Sequence, residues 1–264
     1  MTKLLFIGDV VGQAGLAFLE RRLPALVDEH RPNFVIVNAE NLDTTFHRPS
    51  PGNCGMTSAS LARLLALPVD LVTGGNHSWD GPDVAQVLAS PHVIRPLNYS
   101  TLAPGRGAAI AVKDGVRLGV INLVSRTAFA LADDPLAALD AQLAAWENQT
   151  DLILVDFHGE SVTEKQTAAF ACDGRVAAVL GTHTHVRTLD TGLLPQGTAF
   201  VTDVGMTGPT GGVQGYQPQM FVNHMRLRLP TADPLAEAAG PVELGAVLIT
   251  CQGRRAVHIE RILE

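Results

Sequence analysis

The sequence predicts an α/β protein of two packed, mixed β-sheets flanked by helices. Three features carry that expectation. Short apolar runs rich in Val, Ile and Leu recur along the chain and read as strands buried on both faces. Alanine-rich or amphipathic segments fall between them, and such alternation implies parallel strands with helical crossovers. In the last third, strand-like runs follow one another with few helices between them. That pattern points to antiparallel pairing and a second sheet.

Taken in order, the apolar runs share one habit: each ends in residues that carry chemistry. Residues 4–7 lead into Gly8-Asp9, and residues 16–29 form the first expected helix. Residues 34–37 lead into Asn38-Ala39-Glu40-Asn41, with a helix expected over 58–67. Residues 69–72 lead into Thr73-Gly74-Gly75-Asn76-His77. A helix over 83–88 follows, where Pro82 suits a helix start. After a helix over 134–147, residues 152–155 lead into Asp156-Phe157-His158-Gly159-Glu160. After a helix over 164–171, residues 176–180 lead into Gly181-Thr182-His183-Thr184-His185. Residues 198–204, 220–229, 242–250 and 256–262 complete the set as strands. Ligands of open α/β sheets gather at the carboxyl ends of strands, so these endings are candidate site residues. The irregular loops 43–55 and 204–218 fall near the same ends, where loops cover sites.

Bulk properties narrow the classes. The 264 residues suffice for one large domain over 1–264. With 46% hydrophobic and 17% charged residues, the chain has the composition of a compact protein rather than a disordered one. A net charge of -7, with no Lys/Arg cluster, excludes a duplex nucleic-acid partner that needs a basic face. No stretch approaches a membrane span of about 20 apolar residues, so no membrane partner is expected. Cys54, Cys172 and Cys251 are odd in number and lack C-x-x-C spacing, which fits a reducing, cytoplasmic location. The apolar run at 4–7 is too short for a signal peptide, and Asp9 interrupts it.

Singly, each candidate has an ordinary structural explanation. Asp9 fits a helix cap or turn, Glu40 and Asn41 a polar loop, and His77 and His158 partly buried histidines bonded to backbone. His183 and His185 alternate along an extended segment, so they point to opposite faces unless the chain turns there. Together they say more. Carboxylates, amides and histidines all follow apolar strands at the same end, a mixture that suits Mn, Fe or Zn. One ion takes about four ligands, and the surplus points to two ions sharing a carboxylate.

In this order the motifs resemble the calcineurin-like metallophosphoesterases. The residues that carry the likeness are Gly8-Asp9, Gly75-Asn76-His77, His158 and Gly181-Thr182-His183-Thr184-His185. The YmdB-like bacterial branch is closer still, through GDVVG at 8–12, NAEN at 38–41 and TDVGMTGP at 202–209. Departures from the wider superfamily are specific. The usual D-x-H reads Asp9-Val10-Val11, and Glu40 stands where an aspartate is usual. Asn41 fills the place of the missing histidine, and the 43–55 loop is longer than the branch normally has.

What the resemblance implies is a four-layer α/β/β/α sandwich with a binuclear centre. Asp9, Glu40, Asn41 and His185 would hold the first metal, and Glu40, Asn76, His158 and His183 the second. The expected cofactors are two divalent ions, iron or manganese, with zinc as the further choice. The implied activity is hydrolysis of small phosphodiesters, cyclic nucleotides such as 2',3'-cyclic AMP among them, with His77 as general acid. Asp80 either orients His77 or caps a helix. Asp156 and Glu160 either partner His158 or supply ordinary loop polarity. Two carboxylates leave such a centre slightly positive, which suits a singly charged diester. Trp79, Phe46 and Tyr216 are candidates to stack on a base, and 207–212 offers backbone N–H groups to phosphate. The competing reading is a metal-containing protein that binds a nucleotide or RNA in signalling with little turnover. A dinucleotide site at Gly8, Gly12 and Gly15 has the wrong spacing, G-x-x-x-G-x-x-G. Apolar residues in the late strands are compatible with a homo-oligomer.

Overall fold

The strands and helices alternate as the apolar runs require. In the computed structural model, which describes residues 1–44, 54–127, 129–228 and 235–263, the chain opens with β1 (Thr2–Ile7), α1 (Gly12–His30) and β2 (Phe34–Asn38). Next come α2 (Ser58–Leu65), β3 (Leu71–Thr73), α3 (Val84–Ala89) and β4 (Val93–Ile94). The middle holds β5 (Ala108–Lys113), β6 (Val116–Val124), α4 (Pro135–Ala145), β7 (Leu152–His158), α5 (Val162–Ala171) and β8 (Ala178–Thr182). Then follow β9 (Gly192–Leu193), β10 (Ala199–Val201), β11 (Gly208–Pro209), α6 (Pro218–Leu227), β12 (Val242–Glu243), β13 (Ala246–Gln252) and β14 (Arg255–Ile262). Among the described residues, no helix is long and apolar enough to cross a membrane.

Two mixed sheets result. The first has the order β14-β13-β1-β2-β3-β4, parallel from β1 to β4 and antiparallel from β1 through β13 to β14. The second has the order β5-β6-β7-β8-β10-β9, parallel in its centre and antiparallel at both edges. Side-chain parity stacks them. Leu5 and Ile7 of β1 pack with Leu16, Leu19 and Leu23 of α1, whereas Leu4 and Phe6 pack with Leu118, Leu154 and Leu180 of the other sheet. On the far side, Ile121, Val155 and Val179 pack with Leu139 of α4 and Ala168 of α5. The layers are therefore α/β/β/α.

Two expectations need correction. Residues 220–229 read as a strand in the sequence, but 220–227 lie in helix α6 (Pro218–Leu227), Arg228 caps it, and residue 229 lies outside the described residues. Proline at its first turn and Gln, Met, Arg and Leu within it favour helix, and its apolar residues are not spaced for a strand. The late strands do not form a sheet of their own. β13 and β14 extend the first sheet from the free side of β1, and β10 lies parallel to β8 in the second. The hairpin β5–β6 was not anticipated, although Asp114-Gly115, both left-handed (φ 52° and 76°), is a strong two-residue hairpin turn. In the 43–55 loop, residues 45–53, Phe46 included, lie outside the described residues, and the rest pairs Asp43 with Gly55.

Candidate active site

Parity along the inner strand faces decides which polar groups meet between the sheets. Phe34 and Ile36 of β2, Leu71 of β3, Leu154 of β7, and Ala178 and Leu180 of β8 face that interior. Continued by steps of two, the same faces end in Asn38, Thr73, Asp156, His158 and Thr182, all fully buried. The Asp156 carboxylate ties the sheets together. It accepts from Asn38 Nδ2 (2.9 Å) and Thr73 Oγ1 (2.5 Å) on the first sheet, and from Thr182 Oγ1 (2.7 Å) on its own. His158 Nδ1 lies 2.9 Å from the same Thr182 hydroxyl. That hydroxyl gives its proton to Asp156, so Nδ1 donates and Nε2 is the nitrogen facing the site.

The expected residues converge around that nitrogen. Glu40 Oε1 lies 2.8 Å from His158 Nε2, Asn76 Oδ1 3.1 Å and His183 Nδ1 3.0 Å. The donor atoms of Glu40, His158 and His183 all lie within 4.8 Å of one another. A second group adjoins the first. Asp9 Oδ1 is 3.9 Å from His158 Nδ1 and 4.0 Å from His185 Nε2, which is 3.2 Å from Asn41 Oδ1. Asp9, Glu40, Asn41 and Asn76 come from the first sheet's strand ends, and His158, His183 and His185 from the second's.

The two histidines of 181–186 reach this point because the chain turns. His183 (φ 98°) and His185 (φ 65°) are left-handed, a conformation that costs a non-glycine residue about 1–3 kcal/mol. The His183 N–H donates to both Asp9 carboxylate oxygens (3.2 and 3.1 Å). His185 Nδ1 donates to the Gln214 carbonyl (2.9 Å), leaving Nε2 with its lone pair toward Asn41 and Asp9.

His77 stands beside this group. Its N–H donates to Glu40 Oε2 (3.1 Å), and its ring Nδ1 lies 2.8 Å from Asp80 Oδ2. Asp80 thus orients His77; the cap position of α3 belongs to Asp83. Glu160, at 3.1 Å from His183 Nε2, partners that histidine rather than His158.

Charge is unbalanced here. Burial drives the Asp9 carboxyl well above its usual range, and neighbouring Asp203 and Glu40 add to the rise against the pull of His158. Burial opposes ionisation of Glu40 too, but His158, His77 and His183 hold its carboxyl low. Burial likewise works against a charged His158, yet Glu40, Asp9 and Asp156 push its pKa up. His183 is lowered to about 3 by burial and by the charge on His158. For His77, burial is outweighed by Asp80 and Glu40, and the pKa rises. Two buried carboxylates faced by imidazoles and amide oxygens fit divalent cations by their donor chemistry. Gly75 keeps the space open: a Cβ there would meet Glu40 Oε2 at 2.1 Å and His158 Nε2 at 2.5 Å.

A cavity of about 190 Å³ opens on these groups, with Glu40, Asn41, His77, His183 and His185 on one side and Tyr216, Met220 and Phe221 on the other. A larger hollow of about 260 Å³, lined by Arg126, Glu164 and Thr167, holds none of the clustered side chains. Tyr216 reaches the cavity, 6.5 Å from the His185 ring. Trp79 instead packs on Tyr99 (4.7 Å) and Arg95 (5.9 Å). In the 207–212 segment, Thr207 N–H is engaged by Asp9 O and Thr210 N–H by Pro241 O. The N-terminus of α1 is likewise engaged, because Glu237 accepts from Gln13 and Ala14 N–H (2.8 and 3.0 Å). Asn38, Thr73 and Thr182 stand among the strand endings legible in the sequence but without a role there; their step-of-two register with buried residues was the available signal.

A family model of YmdB-like proteins matches residues 5–262. The chain belongs to the YmdB-like family. It is 38% identical over 264 residues to the 2',3'-cyclic-nucleotide 2'-phosphodiesterase of Bacillus subtilis, covering 99% of this chain and 96% of that one. Among solved structures, the YmdB-like fold is shared with a hypothetical protein of Thermus thermophilus. That match has a TM-score of 0.90 at 36% identity and covers 100% of this chain and 99% of the other. A phosphatase of Mycoplasma pneumoniae matches with a TM-score of 0.89 at 29% identity, over 100% and 93%. The NAD nucleotidase of Haemophilus influenzae, with a TM-score of 0.54 at 14% identity over 99% and 56%, shares the fold alone.

Proposed function

We propose that this YmdB-like protein is a dimetal phosphodiesterase of small phosphodiesters, with cyclic nucleotides such as 2',3'-cyclic AMP as the substrate class. The observation that carries the reading is the convergence of seven donor side chains from both sheets on one buried point beside a cavity. Asp9, Glu40, Asn41 and His185 would hold one divalent cation, and Glu40, Asn76, His158 and His183 the other, with iron or manganese favoured over zinc. When bound, such ions supply Lewis acidity: positive charge for the phosphoryl oxygens and a water acidic enough to ionise near neutral pH.

The chain's own groups do the rest. Asn41 and Asn76 offer neutral amide oxygens, so only Asp9 and Glu40 subtract charge, and a slight positive balance suits a monoanionic diester. His77, fixed at Nδ1 by Asp80, has Nε2 available to protonate the leaving alkoxide. Tyr216, Met220 and Phe221 wall the cavity's other side and would give the leaving group a largely apolar surface.

The test is hydrolysis by stripped and then Mn-reconstituted protein, with 2',3'-cyclic AMP set against a phosphomonoester. Metal-dependent cleavage of the diester supports the proposal. Two bound metals without turnover would move the reading to nucleotide or RNA binding in signalling.

A further inference from the structure

Lys165 and Asp203 form a fully buried ion pair that the proposed chemistry does not use (Nζ to Oδ2, 3.0 Å; both 0% exposed). Burying two charges is costly, and an apolar pair of similar volume is often as stable or more so. Stability alone is therefore a weak reason for the pair. Its hydrogen bonds suggest another. Lys165 Nζ also donates to the Thr182 carbonyl (2.8 Å), one residue before His183. Asp203 Oδ2 also accepts from the Thr184 N–H (3.1 Å), between His183 and His185. The pair thus grips the backbone on both sides of His183, where the chain is left-handed.

The grip is itself anchored. Asp203 Oδ1 accepts from Gly205 N–H (2.9 Å), and its backbone exchanges bonds with Thr188: Asp203 N–H to Thr188 Oγ1 (2.9 Å) and Thr188 N–H to Asp203 O (3.1 Å). Arg261 donates to the carbonyls of Asp203 (2.8 Å) and Val204 (2.9 Å). Lys165 projects from α5 on the face that also buries Ala168 and Ala169. The turn therefore hangs between a helix and a strand end, neither of which contributes a side chain to the cluster.

We infer that Lys165 and Asp203 are positioning residues that hold the turn in its left-handed form, so that His183 and His185 both face the carboxylates. The inference rests on the metal reading of the site. A neutral replacement of both side chains removes the grip without leaving a buried charge. The test compares the wild type, Asp203→Asn, and the double variant Lys165→Met with Asp203→Leu, all stripped of metal. Each is checked for fold by circular dichroism and titrated with Mn²⁺ by calorimetry.

The wild type is expected to bind two Mn²⁺. The double variant, which leaves the Thr182 carbonyl and the Thr184 and Gly205 N–H groups without these partners, is expected to fold with a lower metal-free thermal stability and to bind Mn²⁺ roughly 10–100-fold more weakly, the usual loss for groups that orient ligands. Asp203→Asn, which keeps the side chain's shape, is expected to lose affinity in the same sense and is read independently. Wild-type Mn²⁺ affinity in either folded variant overturns the inference and leaves the metal reading intact. A wild type that binds no Mn²⁺ overturns both.

Discussion

At the scale of single residues, the environment of each group sets its task. His77 has Nδ1 committed to Asp80, and its pKa is raised despite burial. A proton donor matters most when the leaving group is poor. His77→Ala is therefore expected to lose about 100-fold or more of the rate on an alkyl leaving group and far less on nitrophenolate. Equal losses along the series would refute the assignment. Asn76 lies 3.1 Å from His158 Nε2 through a neutral oxygen. Replacing it by aspartate adds a negative charge beside Asp9 and Glu40. Asn76→Asp is expected to tighten Mn²⁺ binding and to slow hydrolysis of 2',3'-cyclic AMP by about tenfold or more, since each 1.4 kcal/mol is tenfold. Unchanged turnover in that variant, measured beside its metal affinity, would contradict the charge argument.

At the scale of elements, the strand ends and turns deliver those groups. The 74–77 segment after β3 passes so close to Glu40 and His158 that Gly75 has no room for a side chain. Gly75→Ala is expected to fold, since the clash is confined to the strand end, but to weaken Mn²⁺ binding. A calorimetric titration matching the wild type would show that the space is not needed. Away from the site, the start of β7 is fastened to β6 by Arg117, whose guanidinium donates to both Asp151 oxygens (2.8 and 3.1 Å). Those hydrogen bonds hold the Asp151 carboxyl down to about 2, against an ordinary value of 3.8. The folded-state pKa is depressed, so the pair's stabilisation is present above pH 3.8 and is lost as pH falls through about 2. Urea unfolding of wild type and Asp151→Asn should show a small gap at neutral pH that closes over this window. A gap that widens in acid would reverse the sign. Salt should shrink it, because the pair is solvent-exposed.

At the scale of the whole molecule, the candidate site is a joint between two sheets. Its donors come from both, and the Asp156 hydrogen bonds to Asn38 and Thr73 cross the same gap. Ions held there would bind the folded state only, so their removal should be felt globally. Free metal at 100 times its dissociation constant stabilises by about 2.7 kcal/mol per site. For a chain of this size that is a fall in Tm of roughly 5–10 °C on chelation. Calorimetry with and without EDTA checks this, and an unchanged Tm in protein first loaded with metal would argue against an inter-sheet centre.

Much of this was legible in the residues. Buried strands ending in Gly-Asp, Asn-Ala-Glu-Asn, Gly-Asn-His and Thr-His-Thr-His announce both the alternating architecture and the donor set, because apolar runs must bury and polar endings must sit at strand termini. Local signals were less decisive where burial was partial. Helix α6 has no buried residue, so its apolar content reads equally as strand until Pro218 and the helix-forming residues are weighed. The hairpin turn at Asp114-Gly115 was readable from two residues alone. What the sequence determined by itself was therefore the kind of chemistry and the strands that end in it. Only the tertiary structure decided which strands share a sheet, that parity carries Asn38, Thr73, Asp156 and Thr182 inward, and that His183 and His185 turn to one point. Contacts between distant segments depend on packing across the gap, and a left-handed histidine is stable only where groups such as Lys165 and Asp203, remote in sequence, hold it.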